Sequence, residues 1–245
     1  TLFQLQERDM SSPSSTYAAA HLPTPSTPTT TTAATAVARK AWARSGAVAG
    51  LAGIVAIVAS AALATSEDAL VDNAQVFAEV QDKAGWVWAF QTSGVALAVL
   101  LAIFAVGLRR RLAGQEPAGS LVPDLAGLGL ILMSVMTLVG TGISTEMFHA
   151  LRNADEVDPD TMATHLAIYN TMAWVWAGGM LTTGAIAVAG LRHGSVSRRL
   201  GRFAAVMTGL VVLTQVLPFQ YLAVLPMAIF LIVCGVSMVR TESAS

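Results

Sequence analysis

Charge is scarce in this chain. Only 12% of its 245 residues are Asp, Glu, Lys or Arg, against 54% hydrophobic residues. A water-soluble domain carries about a quarter charged residues. Soluble globular, disordered and nucleic-acid-binding proteins are therefore excluded as readings of the whole chain. Cysteine is nearly missing too. Cys234 stands alone, which rules out an intrachain disulfide and any cage of zinc or iron–sulfur built on several cysteines. There is no phosphate loop, no His-Glu-x-x-His helix, no Ser-His-Asp order and no nucleic-acid module. Ionisable residues are absent from the centres of the apolar runs. An ion-coupled transporter or proton pump usually needs at least one such group, so those readings are weakened.

What the chain has in abundance is apolar sequence of membrane length, about 20 residues at a time. Such runs cover residues 46–65, 86–108, 125–145, 170–191, 203–217 and 221–239. Each is too long and too evenly apolar for the surface helix of a soluble protein. In lipid, a helix satisfies every backbone donor and acceptor within one segment. No run alternates as a β-barrel strand would. The expected fold is an all-α polytopic bundle of six transmembrane helices. Its basic residues sort to one side. Arg39, Lys40 and Arg44 precede the first run, Arg109, Arg110 and Arg111 follow the second, Arg192, Arg198, Arg199 and Arg202 separate the fourth and fifth, and Arg240 ends the sixth. The other side has Lys83 and Arg152 among Glu67, Asp68, Asp72, Glu79, Asp82, Asp155, Glu156, Asp158 and Asp160. By the positive-inside rule this predicts a multi-pass plasma-membrane protein with both chain ends in the cytoplasm.

Residues 1–37 read as a Ser/Thr/Pro/Ala-rich cytoplasmic tail with little to bury, and 38–245 as the transmembrane domain. The first apolar run lacks a convincing cleavage site, so it does not read as a secretory signal. In the first outer loop Ser66 can cap a helix whose first turn holds Glu67 and Asp68. Leu70, Ala74 and Phe77 then recur at helical spacing, which predicts a short amphipathic helix on the outer membrane surface. Asp158-Pro159 is a helix-start signal, and the fourth long helix should run from there to about Leu191. Gly46, Gly50 and Gly53, with Gly178, Gly179, Gly184 and Gly190, predict close packing within the bundle. Pro218 and Pro226 flank a tight outer turn, with a kink expected at Pro226. Cys234 reads as a buried small hydrophobe.

Gly85-Trp86-Val87-Trp88-Ala89 echoes Ala173-Trp174-Val175-Trp176-Ala177. Both Trp pairs suit the outer headgroup level, and the echo suggests that the second and third helices are a copy of the fourth and fifth. Convergence on interfacial aromatics explains it equally well. Polar side chains within the runs, such as Thr92, Ser93, Thr141, Ser144, Thr182, Thr183, Thr214 and Gln215, suit hydrogen bonds between helices. A candidate outward-facing ligand pocket is framed by Gln91, Trp86, Trp88, Tyr169, Trp174 and Trp176. Glu146 and His149 are three apart and share a helix face. Glu-x-x-His is a ligand spacing of carboxylate-bridged metal bundles. A short link to the next helix brings His165 to the same level, so Glu146, His149 and His165 form a candidate metal or haem ligand set. The alternatives are a structural polar cluster, with His149 offsetting the helix dipole, or a substrate or proton site.

Three stretches carry a resemblance: the acidic loop after the first run, the basic link Ser197-Arg198-Arg199-Leu200-Gly201, and the last run from Leu225-Pro226 through Gly235. In these the chain resembles a group of bacterial six-span integral membrane proteins defined only as a domain of unknown function. That resemblance implies the six-span fold and no catalytic residue. Three functional expectations follow from the sequence as a whole. The first is a non-enzymatic accessory or small-molecule/lipid-binding module, whose partners are membrane lipids or another membrane protein. The second is an outer-face metal or haem redox protein. The third is a small-solute or lipid transporter.

Overall fold

A computed structural model describes residues 31–66, 72–217 and 219–244, with side chains described for 41–66, 72–217 and 219–241. Every regular element among the described residues is helical. The long elements are α1 (Thr31–Ala61), α3 (Ala84–Ala113), α4 (Val122–Arg152), α7 (Arg198–Val216) and α8 (Val224–Ala244). The fourth crossing is composite: α5 (Pro159–Asn170), a 3-10 stretch (Thr171–Gly178), α6 (Gly179–Val188) and a π turn (Ala189–His193). A short helix, α2 (Asn73–Val80), precedes α3. Six helical stretches are long and apolar enough to cross a membrane, as the sequence predicts. Helix α1 takes in residues 31–37, ahead of its apolar span; residues 1–30 lie outside the described ones.

The crossings close into a ring. Helix α1 packs on α3, α3 on α4, α4 on α6, α6 on α7, α7 on α8, and α8 returns to α1. Glycine lets several of these pairs approach closely. A Cβ at Gly190 would stand 2.7 Å from the Cα of Gly201, and one at Gly235 would stand 2.5 Å from the backbone N of Ala47. Gly46 faces the ring of Phe104, and Gly178 faces the carbonyl of Gly129. The glycines thus serve packing inside the bundle, as expected. One apolar core fills the body of the ring around Leu101, Phe104, Leu130, Ile186, Met227 and Phe230. Cys234 is fully buried in it, as expected.

A second core sits at the acidic end, where Val76 and Val80 of α2 meet Met147, Leu151, Met162 and Leu166. The expected short helix between the first two crossings is present, and part of one face packs on the protein. Helix α2 starts at Asn73, capped by Asp72, whose side chain accepts from the Ala74 N–H at 2.9 Å. Leu70 lies outside the described residues, Ala74 is exposed, and the buried stripe is Val76 and Val80. Ser66 does not cap the helix; its N–H and hydroxyl donate to the Glu79 carboxylate at 2.8 and 2.5 Å. The Asn73 side-chain amide donates to Asp160 at 2.7 Å, which ties α2 to α5. The helix is therefore part of a folded cap. Of the expected stripe, Phe77 packs against this core beside Val76 and Val80.

The start of the fourth crossing is as expected: Asp158 accepts from the N–H groups of Asp160 and Thr161 at 3.1 and 3.3 Å. Its reach is too, since the segment stays helical to His193, but part of it is not α-helical. Eight consecutive 3-10 residues are unusual, since such runs rarely exceed three or four. The stretch holds β-branched Thr171 and Val175 and two tryptophans, all weak helix formers, and Gly178-Gly179 follow. Docking holds it in place, with the side chain of Met172 against Gly140 and the ring of Trp176 against Gly53. Pro226 lies in the first turn of α8, where a missing N–H breaks no bond, so no kink is needed there. Pro218 lies outside the described residues.

Candidate ligand-binding cleft

The 3-10 stretch borders a cleft of about 60 Å³ in the half of the ring nearer the acidic end. Its floor is apolar: Ala56 of α1, Leu97 of α3, Met136 of α4, Val175 and Trp176 of the 3-10 stretch, and Val224 of α8. Ser60, Tyr169, Asn170 and Tyr221 supply polar atoms toward its acidic-end rim, beside Phe90. None of the described lining residues is Asp, Glu, Lys, Arg or His. Irregular backbone at membrane depth is tolerated where it is buried in protein or lines a cavity, and here it does both.

Tyr169 is the polar residue most firmly fixed at this site. It is 4% exposed, and its ring meets Phe90 edge-on with centroids 4.9 Å apart. The Ser60 hydroxyl lies within interaction range, yet the phenol oxygen makes no well-formed hydrogen bond and is closed off from water. A buried unpaired polar group of this kind costs about 1–3 kcal/mol. Thr137 also lines the cleft, and its hydroxyl is occupied, donating to the Met133 carbonyl at 2.7 Å.

Of the six residues expected to frame a pocket, Tyr169 and Trp176 line this cleft. Gln91 is half-buried and outside the lining. Trp86, Trp88 and Trp174 are about half exposed, at 47%, 56% and 53%, on the outside of the ring. Trp176, at 7% exposed, is a core residue and not an interfacial one. The two Trp motifs are therefore not equivalent: the first lies on a regular α-helix with both rings outward, the second on a 3-10 stretch with one ring inward. Sequence reasoning missed Ser60, Phe90, Met172 and Tyr221. Ser60 is the one hydroxyl between Gly46 and Ala64 in the first run, a signal that was there to be read. The others carry none.

The expected metal set is not assembled. Among the described residues no three His, Cys, Asp or Glu side chains stand close enough to share an ion. Helix α4 turns Met147 and Leu151 into the cap core, which leaves Glu146 and His149 exposed on another face. The His149 ring meets Phe148, and the His165 Nδ1 is engaged with the Thr161 carbonyl at 2.9 Å on its own helix. Apolar burial, not ligation, decides the rotation of both helices. The hydroxyls in the spans also differ from expectation. Thr92, Ser93, Ser144, Thr183 and Thr214 donate back to carbonyls of their own helices. Among the described residues, hydroxyls in the spans also bond between helices: Thr182 donates to the Ala126 carbonyl at 3.0 Å, and Ser134 to the Ala98 carbonyl at 2.8 Å. The Gln215 amide is buried with neither of its polar atoms paired.

A second polar cluster, unforeseen from the sequence, lies at the basic end. The Glu116 side chain is 1% exposed. It accepts from Ser120 at 2.8 Å, engages His193 Nδ1 at 2.5 Å, and accepts from Ser195. The π turn and Gly194, at φ 75° in the left-handed region, bring His193 and Ser195 back toward it. Burial alone pushes the Glu116 carboxyl up, but the hydrogen bonds from Ser195, Ser120 and His193 outweigh it and hold the group below the ordinary glutamate range. The Ser195 hydroxyl is bonded to the carboxylate and not to the imidazole, so this is a latch between two loops and not a nucleophile–base pair. No family model matches the chain, and neither the curated proteins nor the solved structures offer a match.

Proposed function

We propose that the chain is a membrane-embedded binding module whose cleft takes a small, mainly apolar molecule. The observation that carries this reading is the cleft itself: an apolar floor between four helices, closed on one side by a 3-10 interruption of a membrane-length segment. Concave, mostly apolar sites with a few placed polar groups are the usual form of small-molecule pockets, and interrupted membrane helices often border binding sites. The arginines at one end favour a plasma-membrane orientation with that end, and both chain ends, in the cytoplasm. The cleft then lies in the outer half of the bilayer, open to ligands from the outer leaflet or from outside.

The test is photolabelling of the purified protein in micelles with a diazirine-bearing hexane, followed by mass-spectrometric mapping. Labelling should concentrate on cleft residues such as Met136 and Met172. Ala56→Phe, which fills the floor, should reduce it at least fivefold while the protein stays folded. Labelling spread evenly over lipid-facing side chains such as Val95, Leu128 and Val206, and unchanged by Ala56→Phe, refutes the reading.

A further inference from the structure

The chemistry around the cleft narrows the class of ligand. Two features of the lining act together. The first is the lack of charge: with no cationic side chain among the described lining residues, a bound carboxylate or phosphate would lose its hydration without a counter-charge. That penalty is severe in an apolar site. The second is the arrangement of polarity. Ser60, Tyr169, Asn170 and Tyr221 stand toward the acidic-end rim, while Ala56, Leu97, Met136, Val175, Trp176 and Val224 are apolar and lie deeper. The site therefore has a polar mouth and a greasy floor, and one mouth group, the Tyr169 phenol, is 96% buried by its 4% exposure and unpaired.

From this juxtaposition we infer that the ligand is a neutral amphiphile with a hydroxyl head, its apolar part on the Trp176 floor and its head hydrogen-bonded to Tyr169. The inference rests on the proposed binding role of the cleft and adds to it the charge, polarity and orientation of what is bound. A hydroxyl suits the phenol because it can accept the phenolic proton and donate its own to the Ser60 oxygen. The phenol has no surface open to water. The head therefore reaches it by moving the Ser60 hydroxyl aside, not by replacing an ordered water. A hydrocarbon of the same length would fill the floor and leave the phenol unpaired. A carboxylate would satisfy the phenol but bring a charge that nothing there offsets. The cleft's size, about 60 Å³, restricts the enclosed part to a few carbon atoms and the head.

The experiment is displacement of the diazirine-hexane label by unlabelled hexan-1-ol, hexane and, at pH 8, hexanoate, compared at equal mole fraction in the micelle. Hexan-1-ol should displace about five- to tenfold better than hexane, and hexanoate at least tenfold worse than hexan-1-ol. Tyr169→Phe keeps the ring against Phe90 and removes only the hydroxyl. It should bring hexan-1-ol within twofold of hexane. Equal displacement by hexane and hexan-1-ol in the unaltered protein overturns the inference but leaves a cleft that binds apolar molecules. So does a preference for hexan-1-ol that survives Tyr169→Phe, or strong displacement by hexanoate. Failure of every compound to displace the label, with labelling indifferent to Ala56→Phe, instead removes the binding role on which the inference rests.

Discussion

Replacing Glu116 with alanine tests whether the basic-end latch holds the bundle together. The carboxylate takes hydrogen bonds from Ser120, His193 and Ser195, linking the α3–α4 loop to the loop that follows the π turn. A hydrogen bond to a charged group is worth about 1.5–3 kcal/mol in favourable burial. Here the carboxylate is covered by its own partners, but the cluster sits at the end of the bundle, close to water and headgroups. Solvent screening discounts the sum, and about 2 kcal/mol is the expected loss for Glu116→Ala. For a chain of this size that is roughly 4–8 °C of melting temperature. Cys234, fully buried, supplies the assay: a thiol-reactive dye reports its exposure as the protein unfolds in micelles. The pH dependence has a definite sign. The folded Glu116 binds its proton less readily than an ordinary glutamate near 4.5. Its contribution is therefore fully present above that value and is lost as pH falls through the lower folded value. The stability gap between the unaltered protein and Glu116→Gln should shrink as pH falls below about 5. A Glu116→Ala shift under 1 °C, or a gap that grows below pH 5, refutes the latch.

Other consequences are as direct. Gly190→Ala places a methyl group 2.7 Å from the Cα of Gly201, and because both sides are backbone the helices must part; a loss of about 1–3 kcal/mol should show in the same dye melt. Gln215→Leu removes a buried amide with no partner, so the melting temperature should hold or rise by the equivalent of about 1 kcal/mol; a clear drop would mean the amide has a partner in the membrane. Glu146→Ala with His149→Ala alters exposed groups outside any ligand set and should move stability by less than about 0.5 kcal/mol and leave metal content by mass spectrometry unchanged.

The number of the crossings and their places along the chain were legible because they depend on length and hydropathy, which are local and additive. The Asp158 cap, the glycine contacts and the burial of Cys234 were legible for the same reason: each depends on one residue's chemistry and an immediate neighbour. The cap at the acidic end was less so. The sequence announces a helix after the first crossing, but which stripe it buries depends on α5, which is remote in sequence. The Glu116 latch follows that rule too. Its partners His193 and Ser195 lie nearly eighty positions away, and only the presence of an acid on the arginine-rich side hinted that it is paired.

The candidate site was half legible, and the reason is geometric. Residues two apart on any helix point to nearly opposite sides, at about 200° in an α-helix and 240° in a 3-10 helix. Two tryptophans at that spacing cannot both face the same surface patch. On α3 both find room outside, because the ring presents a wide lipid-facing arc there. On the fourth crossing Trp174 stays outside and Trp176 turns in against Gly53. The spacing alone does not say which of the two turns inward; the glycine on α1 that receives the ring decides it. The 3-10 stretch compounds the difficulty. Over eight residues it adds roughly 4 Å of rise and 160° of rotation relative to an α-helix. A face extrapolated from α5 at the α-helical period is therefore out by almost half a turn when it reaches α6. Tyr169 lies before that slip and Trp176 within it. Seven residues apart, the two would share a face of a straight α-helix as well, so what the slip changes is not their meeting but which face of α6 is turned to α4 and α7.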